Sequence, residues 1–145
     1  MISGRNAGFG RRLAALLYDS LLLGALLMVF TAAVMLLTHG RAVLGETVGG
    51  WVYLYRAALA AVIAAYFILN WTHSGQTLGM RAWRLHVVGP DGKRLKLRSA
   101  ALRFACASLA WAPAGLGVLW LYLDPQRLAL HDRVSRTRII HVARR

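Results

Sequence analysis

The chain has 145 residues, 58% of them hydrophobic, with 18 Lys+Arg against five Asp+Glu and a formal charge of +13. That apolar share exceeds the roughly 45–50% of soluble domains and implies a membrane protein, while the length leaves room for one compact unit and excludes a two-domain enzyme. In a soluble chain the excess of base would point to nucleic acid; in a hydrophobic one it points to the face that meets anionic lipid and obeys the positive-inside rule, with no nucleic-acid partner. The single cysteine, Cys106, carries no information about a redox compartment.

Taken in chain order, Leu13 to Thr38 reads as a first transmembrane helix, because nineteen residues without a charge separate Asp19 from His39. A cleavable signal peptide is the alternative for residues 1–38, disfavoured by the length of the apolar run and by Asp19 within it. Trp51 to Trp71 reads as a second span, with aromatic residues toward both ends and Arg56 able to snorkel outward along its own stem. Next comes a soluble-looking insertion. Leu85–Val88 and Leu95–Leu97 flank Gly89-Pro90-Asp91-Gly92, which predicts a small cytoplasmic β-hairpin, and Ser99 is placed to cap the helix that follows.

Phe104 to Leu123 is a third apolar region, broken by Pro113, Gly115 and Gly117. It reads either as a re-entrant helical hairpin or as a kinked third span. The charge distribution favours the hairpin: Arg5, Arg11 and Arg12 precede the first helix, and the tail holds Arg127, Arg133, Arg136, Arg138, Arg144 and Arg145, so both termini are expected to be cytoplasmic. Asp124-Pro125 resembles a helix start, a short interfacial helix follows, and Arg136 to Val142 is β-branched enough to add a strand to the hairpin. The expected fold class is therefore an all-α membrane protein with two full transmembrane helices, a broken third region and a β-hairpin insertion.

Few residues can carry chemistry. Asp19 lies about two turns into a span, where an acid must be paired, hydrogen-bonded, protonated or wetted, which makes it a candidate functional group. Arg12 is seven residues earlier on the same helical face, roughly 10 Å away along the axis. Arg103 enters the membrane from the same side in the third apolar region and is the expected partner of Asp19. With Asp132 these residues are expected to form one polar cluster at the cytoplasmic side. His131-Asp132 resembles half of a metal site, but the remaining histidines are scattered, and no metal or other cofactor is expected. The sequence holds no His-Glu-x-x-His, Cys pair, Gly-x-Ser-x-Gly or phosphate loop, so an enzyme is not expected.

Arg12-Leu13-Ala14-Ala15-Leu16-Leu17-Tyr18-Asp19, Gly75-Gln76-Thr77-Leu78-Gly79, Asp124-Pro125 and Leu130-His131-Asp132, in that order, resemble the RDD family of small prokaryotic integral membrane proteins. The family is named for one arginine and two aspartates, and Arg12, Asp19 and Asp132 match those places. The resemblance covers residues 8–142 and implies one RDD-like transmembrane domain in a bacterial inner membrane, with Gly75, Gln76 and Gly79 as motif residues. Two departures stand out: Met80 where a basic residue commonly follows, with Arg81 as its substitute, and Arg136 where a small residue is common. The resemblance implies a part in transport of an unspecified ligand. Two spans cannot enclose a pathway alone, so that reading requires a homo-oligomer or a partner membrane protein. The alternative is a non-catalytic assembly module that binds partner helices and anionic lipid.

Overall fold

The computed structural model describes residues 4–40, 43, 50–111 and 130–142. A short strand β1 (Arg5–Asn6) leads into helix α1 (Phe9–Leu37), which begins four residues ahead of the predicted span. Its 29 residues give about 43 Å against a hydrocarbon core of roughly 30 Å, so the end carrying Arg11 and Arg12 has length to reach the headgroup layer. Helix α2 (Trp51–His73) matches the second predicted span and closes at Gly75, whose φ of +74° allows the amides of Ser74 and Gly75 both to bond the Asn70 carbonyl at 3.1 Å. Both helices are long and apolar enough to cross a membrane.

Beyond α2, Thr77 caps a one-turn helix α3 (Leu78–Ala82), its hydroxyl accepting from the Met80 amide at 3.2 Å. Strand β2 (Leu85–Val88) follows, and the tight turn is closed by the Gly89 amide on the Lys93 carbonyl at 2.9 Å. The predicted second strand of the hairpin is not formed. Leu95 is buried in the core, and Leu97 opens helix α4 (Leu97–Trp111). Strand β2 has no edge left for Leu95–Leu97, because one side pairs with the tail and the other gives the Val87 amide to the Gly75 carbonyl at 2.7 Å. Helix α4 also starts ahead of Ser99, with the Lys96 carbonyl accepting the Ala100 amide, so Ser99 lies in its first turn and is not the cap. The helix takes in the first part of the third apolar region; the Pro113–Gly117 turn and the Asp124-Pro125 start lie outside the described residues.

The tail contributes α5 (Leu130–Val134) and β3 (Arg138–His141). β3 is the centre of a three-stranded antiparallel sheet, order β1-β3-β2, with Val87 opposite Ile139 and Asn6 opposite Ile140. The sheet replaces the predicted hairpin and adds a strand at the N-terminus that the sequence did not announce. Ala7, Ala15, Trp71, Met80, Leu85, Val87, Leu95, Ala100 and Ile139 form one buried cluster, joined by Phe67, Ile68 and Phe104.

The chain divides into two compact units, one made of Met1–Asp19 with Phe67–Arg145 and the other of Ser20–Tyr66. Among its described residues the second is mainly apolar helix, pinned by a 2.7 Å hydrogen bond between Thr31 and Tyr55, and turns Leu21, Met28, Leu36 and Tyr53 outward. Outward apolar side chains on helices of this length suit hydrocarbon as their solvent. The first unit contains the sheet, the core cluster and all the candidate site residues.

Candidate functional site

Arg12 is the fourth residue of α1 and buried, a placement that only strong pairing offsets. Its Nε donates to the Ala7 carbonyl at 3.0 Å, which orients the guanidinium, and its Nη1 donates to Asp132 Oδ2 at 2.5 Å. Arg103, in the second turn of α4, brings Nη1 within 2.6 Å of Asp132 Oδ1 and donates to the Thr137 hydroxyl. The contact with Oδ1 is off the hydrogen-bond direction and acts through charge. Asp132 itself is 0% exposed. One carboxylate on α5 therefore joins the start of α1 to α4, across 120 positions of sequence in the case of Arg12.

Neighbouring groups fix this clamp. Ser135 and Thr137 share a hydrogen bond at 2.8 Å, and the Thr137 amide bonds the Asp132 carbonyl at 2.9 Å, wrapping the turn after α5 around the carboxylate. Arg136 occupies that turn with φ of 50°, a left-handed conformation in which glycine is easier. That strain gives a physical reason for a small residue at this place. The Arg103 guanidinium also stacks over the Trp71 ring, 5.2 Å from its centroid.

Asp19 forms a second centre. It is 3% exposed and accepts from the Thr77 hydroxyl at 2.5 Å through Oδ2 and from the Gly79 amide at 2.8 Å through Oδ1. Thr77 thus serves twice, as cap of α3 and as donor to Asp19. Gly79 is required for the approach: a Cβ there would overlap the Ala15 carbonyl oxygen and lie 2.8 Å from Asp19 Cγ. The motif after α2 is consequently a backbone-and-hydroxyl cradle for the acid of α1. Gln76 enters through its main chain, its carbonyl accepting from Ser74 Oγ at 2.7 Å, while Met80 packs into the core and Arg81 is exposed.

Arg12, Arg103 and Asp132 are brought together as a charged triad, and Asp19 is bound by the 75–79 segment. Arg103, expected on Asp19, is engaged by Asp132 and Thr137 instead. Thr77, Thr137, Ser135 and Trp71 complete the two centres without having been singled out in the sequence. Thr77 alone had a signal, lying between the motif glycines; the others are ordinary side chains, and Arg103, which Thr137 and Trp71 meet, is distant from both in sequence. Among the described residues no three His, Cys, Asp or Glu side chains gather as a metal site.

His86, on β2, lies outside the spans and has a displaced pKa. Burial, and then the charge of Arg94, hold it below the usual histidine value of 6.5.

No curated protein and no solved structure matches the chain significantly. The model of the RDD family matches residues 6–136, most of the chain and all four charged site residues, and the protein belongs to that family of membrane proteins.

Proposed function

We propose that the chain is one protomer of a membrane carrier for protons or small cations, in which Asp19 is the exchanging group and the Arg12–Asp132–Arg103 triad is a fixed clamp. The observation that carries this reading is the cradle of Asp19: a buried carboxylate in an apolar helix that accepts from the Thr77 hydroxyl and the Gly79 amide. Such a carboxylate can take up a proton or a cation and keep its frame, because Thr77 can turn its hydroxyl and Gly79 keeps donating. Asp132 has no such freedom, since neutralising it strands two guanidiniums.

A cytoplasmic setting for the sheet in a bacterial inner membrane, with both termini inside, follows from the same proposal. Segments paired in one sheet lie on one side of a bilayer, which supports a shared side for both ends of the chain. The abundance of exposed arginine and lysine on that unit supports the inner side and a contact with anionic lipid. Two spans require a second copy or a partner protein to enclose a path.

The test is proteoliposome flux under a pH gradient with sodium or potassium outside, comparing the native chain with Asp19→Asn. Cation-dependent proton movement lost in Asp19→Asn is the expected result. Absence of flux in the native chain supports the second reading, a non-catalytic assembly module, for which the outward apolar residues of α1 and α2 supply a surface.

A further inference from the structure

Three buried donors around the triad have no hydrogen-bond acceptor among the described residues: Arg12 Nη2, Arg103 Nε and Trp71 Nε1. Their side chains are 9%, 2% and 7% exposed, so bulk water does not serve them. Their residues adjoin, because both guanidiniums hold the same carboxylate and Arg103 stacks on the Trp71 ring. Buried polar groups in a native protein nearly always have a partner, and an unmet donor signals a water, an ion or a ligand.

The chemistry of the three atoms narrows the choice. All are donors, so the missing group is an acceptor. Two arginines and one aspartate leave the triad one positive charge in excess, so the missing group is anionic, and a neutral water meets the donors without meeting the charge. Guanidinium and indole N–H groups suit phosphate oxygens, which accept several bonds and offer none in the singly charged diester. The depth agrees: Arg12 lies in the first turn of α1 and Trp71 in the last turn of α2, at the helix ends where lipid headgroups lie.

We propose that Arg12 Nη2, Arg103 Nε and Trp71 Nε1 form the seat of one singly charged phosphate oxyanion, supplied by a lipid phosphodiester or by free phosphate. The seat is separate from the Asp19 cradle and does not depend on cation exchange.

The test uses the full chain in a neutral detergent and reads the midpoint of thermal unfolding as short-chain phosphatidylglycerol, diacylglycerol or inorganic phosphate is added. Phosphatidylglycerol is expected to raise the midpoint where diacylglycerol does not. Trp71→Phe keeps the ring over Arg103 and deletes one donor, and is expected to raise the half-maximal lipid concentration about tenfold, the value of a hydrogen bond to a charged group. Arg98→Gln, an exposed change, is expected to leave it unaltered. Inorganic phosphate acting alone at millimolar concentration identifies the free ion as the source and upholds the seat. A second readout needs no stable variant: the indole N–H resonance of Trp71 in the native chain moves downfield as the oxyanion is added. Equal stabilisation by diacylglycerol, or an indole resonance that stays in place at saturation, overturns the proposal and leaves the donors to internal water.

Discussion

Replacing Asp132 by Asn keeps the volume and one acceptor but removes the charge that two buried arginines share. Arg12 and Arg103 are 9% and 2% exposed, and their Nη1 atoms lie 2.5 and 2.6 Å from the carboxylate oxygens. Removing one member of a buried pair costs about 3–5 kcal/mol, because the partner stays in a low-dielectric site uncompensated. Here one substitution strands two cations, so the loss for Asp132→Asn is expected at the upper end of that range, about 5 kcal/mol, comparable with the whole stability of a small domain. The apolar triple variant Arg12→Met, Arg103→Met, Asp132→Leu removes all three charges and is expected to recover most of that loss. The measurement is reversible unfolding by titrated denaturing detergent, followed by tryptophan fluorescence, with a cycle of single, double and triple variants. A loss below about 1 kcal/mol for Asp132→Asn, or a triple variant as unstable as the single, would refute the picture of a desolvated clamp.

Gly79→Ala forces a Cβ against the Ala15 carbonyl and the Asp19 carboxylate, and overpacking together with the loss of the amide bond predicts a destabilisation of about 3–5 kcal/mol in the same assay. Arg136→Gly relieves a positive φ of 50° and is expected to be neutral to stabilising by up to about 1 kcal/mol, an outcome that any clear destabilisation contradicts. His86 has a folded-state pKa below the 6.5 of the unfolded chain, so between those two values the unfolded state holds more protons and stability rises with pH. Unfolding followed from pH 5 to pH 8 is therefore expected to show a loss as pH falls through and below about 6.5, and His86→Gln is expected to flatten that slope. Single cysteines at positions 2 and 145, in a Cys106→Ala background, are expected to react with an impermeant thiol reagent only after the cytoplasmic side is opened, and labelling of one end alone from outside would contradict a shared side.

The two long helices were legible because hydrocarbon imposes a length and an absence of charge that a sequence displays directly. Predicted and observed spans differ at their ends, where the helices run on into the headgroup zone and the requirement for apolarity lapses, as at Phe9 to Arg12. The insertion was legible only in part. Its Gly-rich turn and Leu85–Val88 carried local signals, but the partner of that strand lies in the tail, and nothing local distinguishes Leu95–Leu97 from Arg138–His141 as a neighbour. The β-branched run in the tail was visible as a strand; its central place in the sheet was not. β1, at two residues, is too short to leave a pattern. Depth arguments brought Asp19, Arg12, Arg103 and Asp132 to one level of the membrane but could not assign partners, since pairing is a matter of ångströms and depth of helical turns.

Those assignments separate two kinds of work an intramembrane charge can do within this chain's own geometry. At Asp132 the charge balances two guanidiniums, so neutralising it leaves two buried cations uncompensated, at a cost of several kcal/mol. At Asp19 the bonds from Thr77 and Gly79 come from dipoles, and these two donors carry no full charge of their own. The cradle is also built across two chain segments, since Gly79 and Thr77 reach Asp19 over some 60 residues of sequence. A change of charge at Asp19, as the proposed exchange requires, would therefore act on the contact between α1 and the segment after α2, while the Asp132 clamp joins α1, α4 and α5.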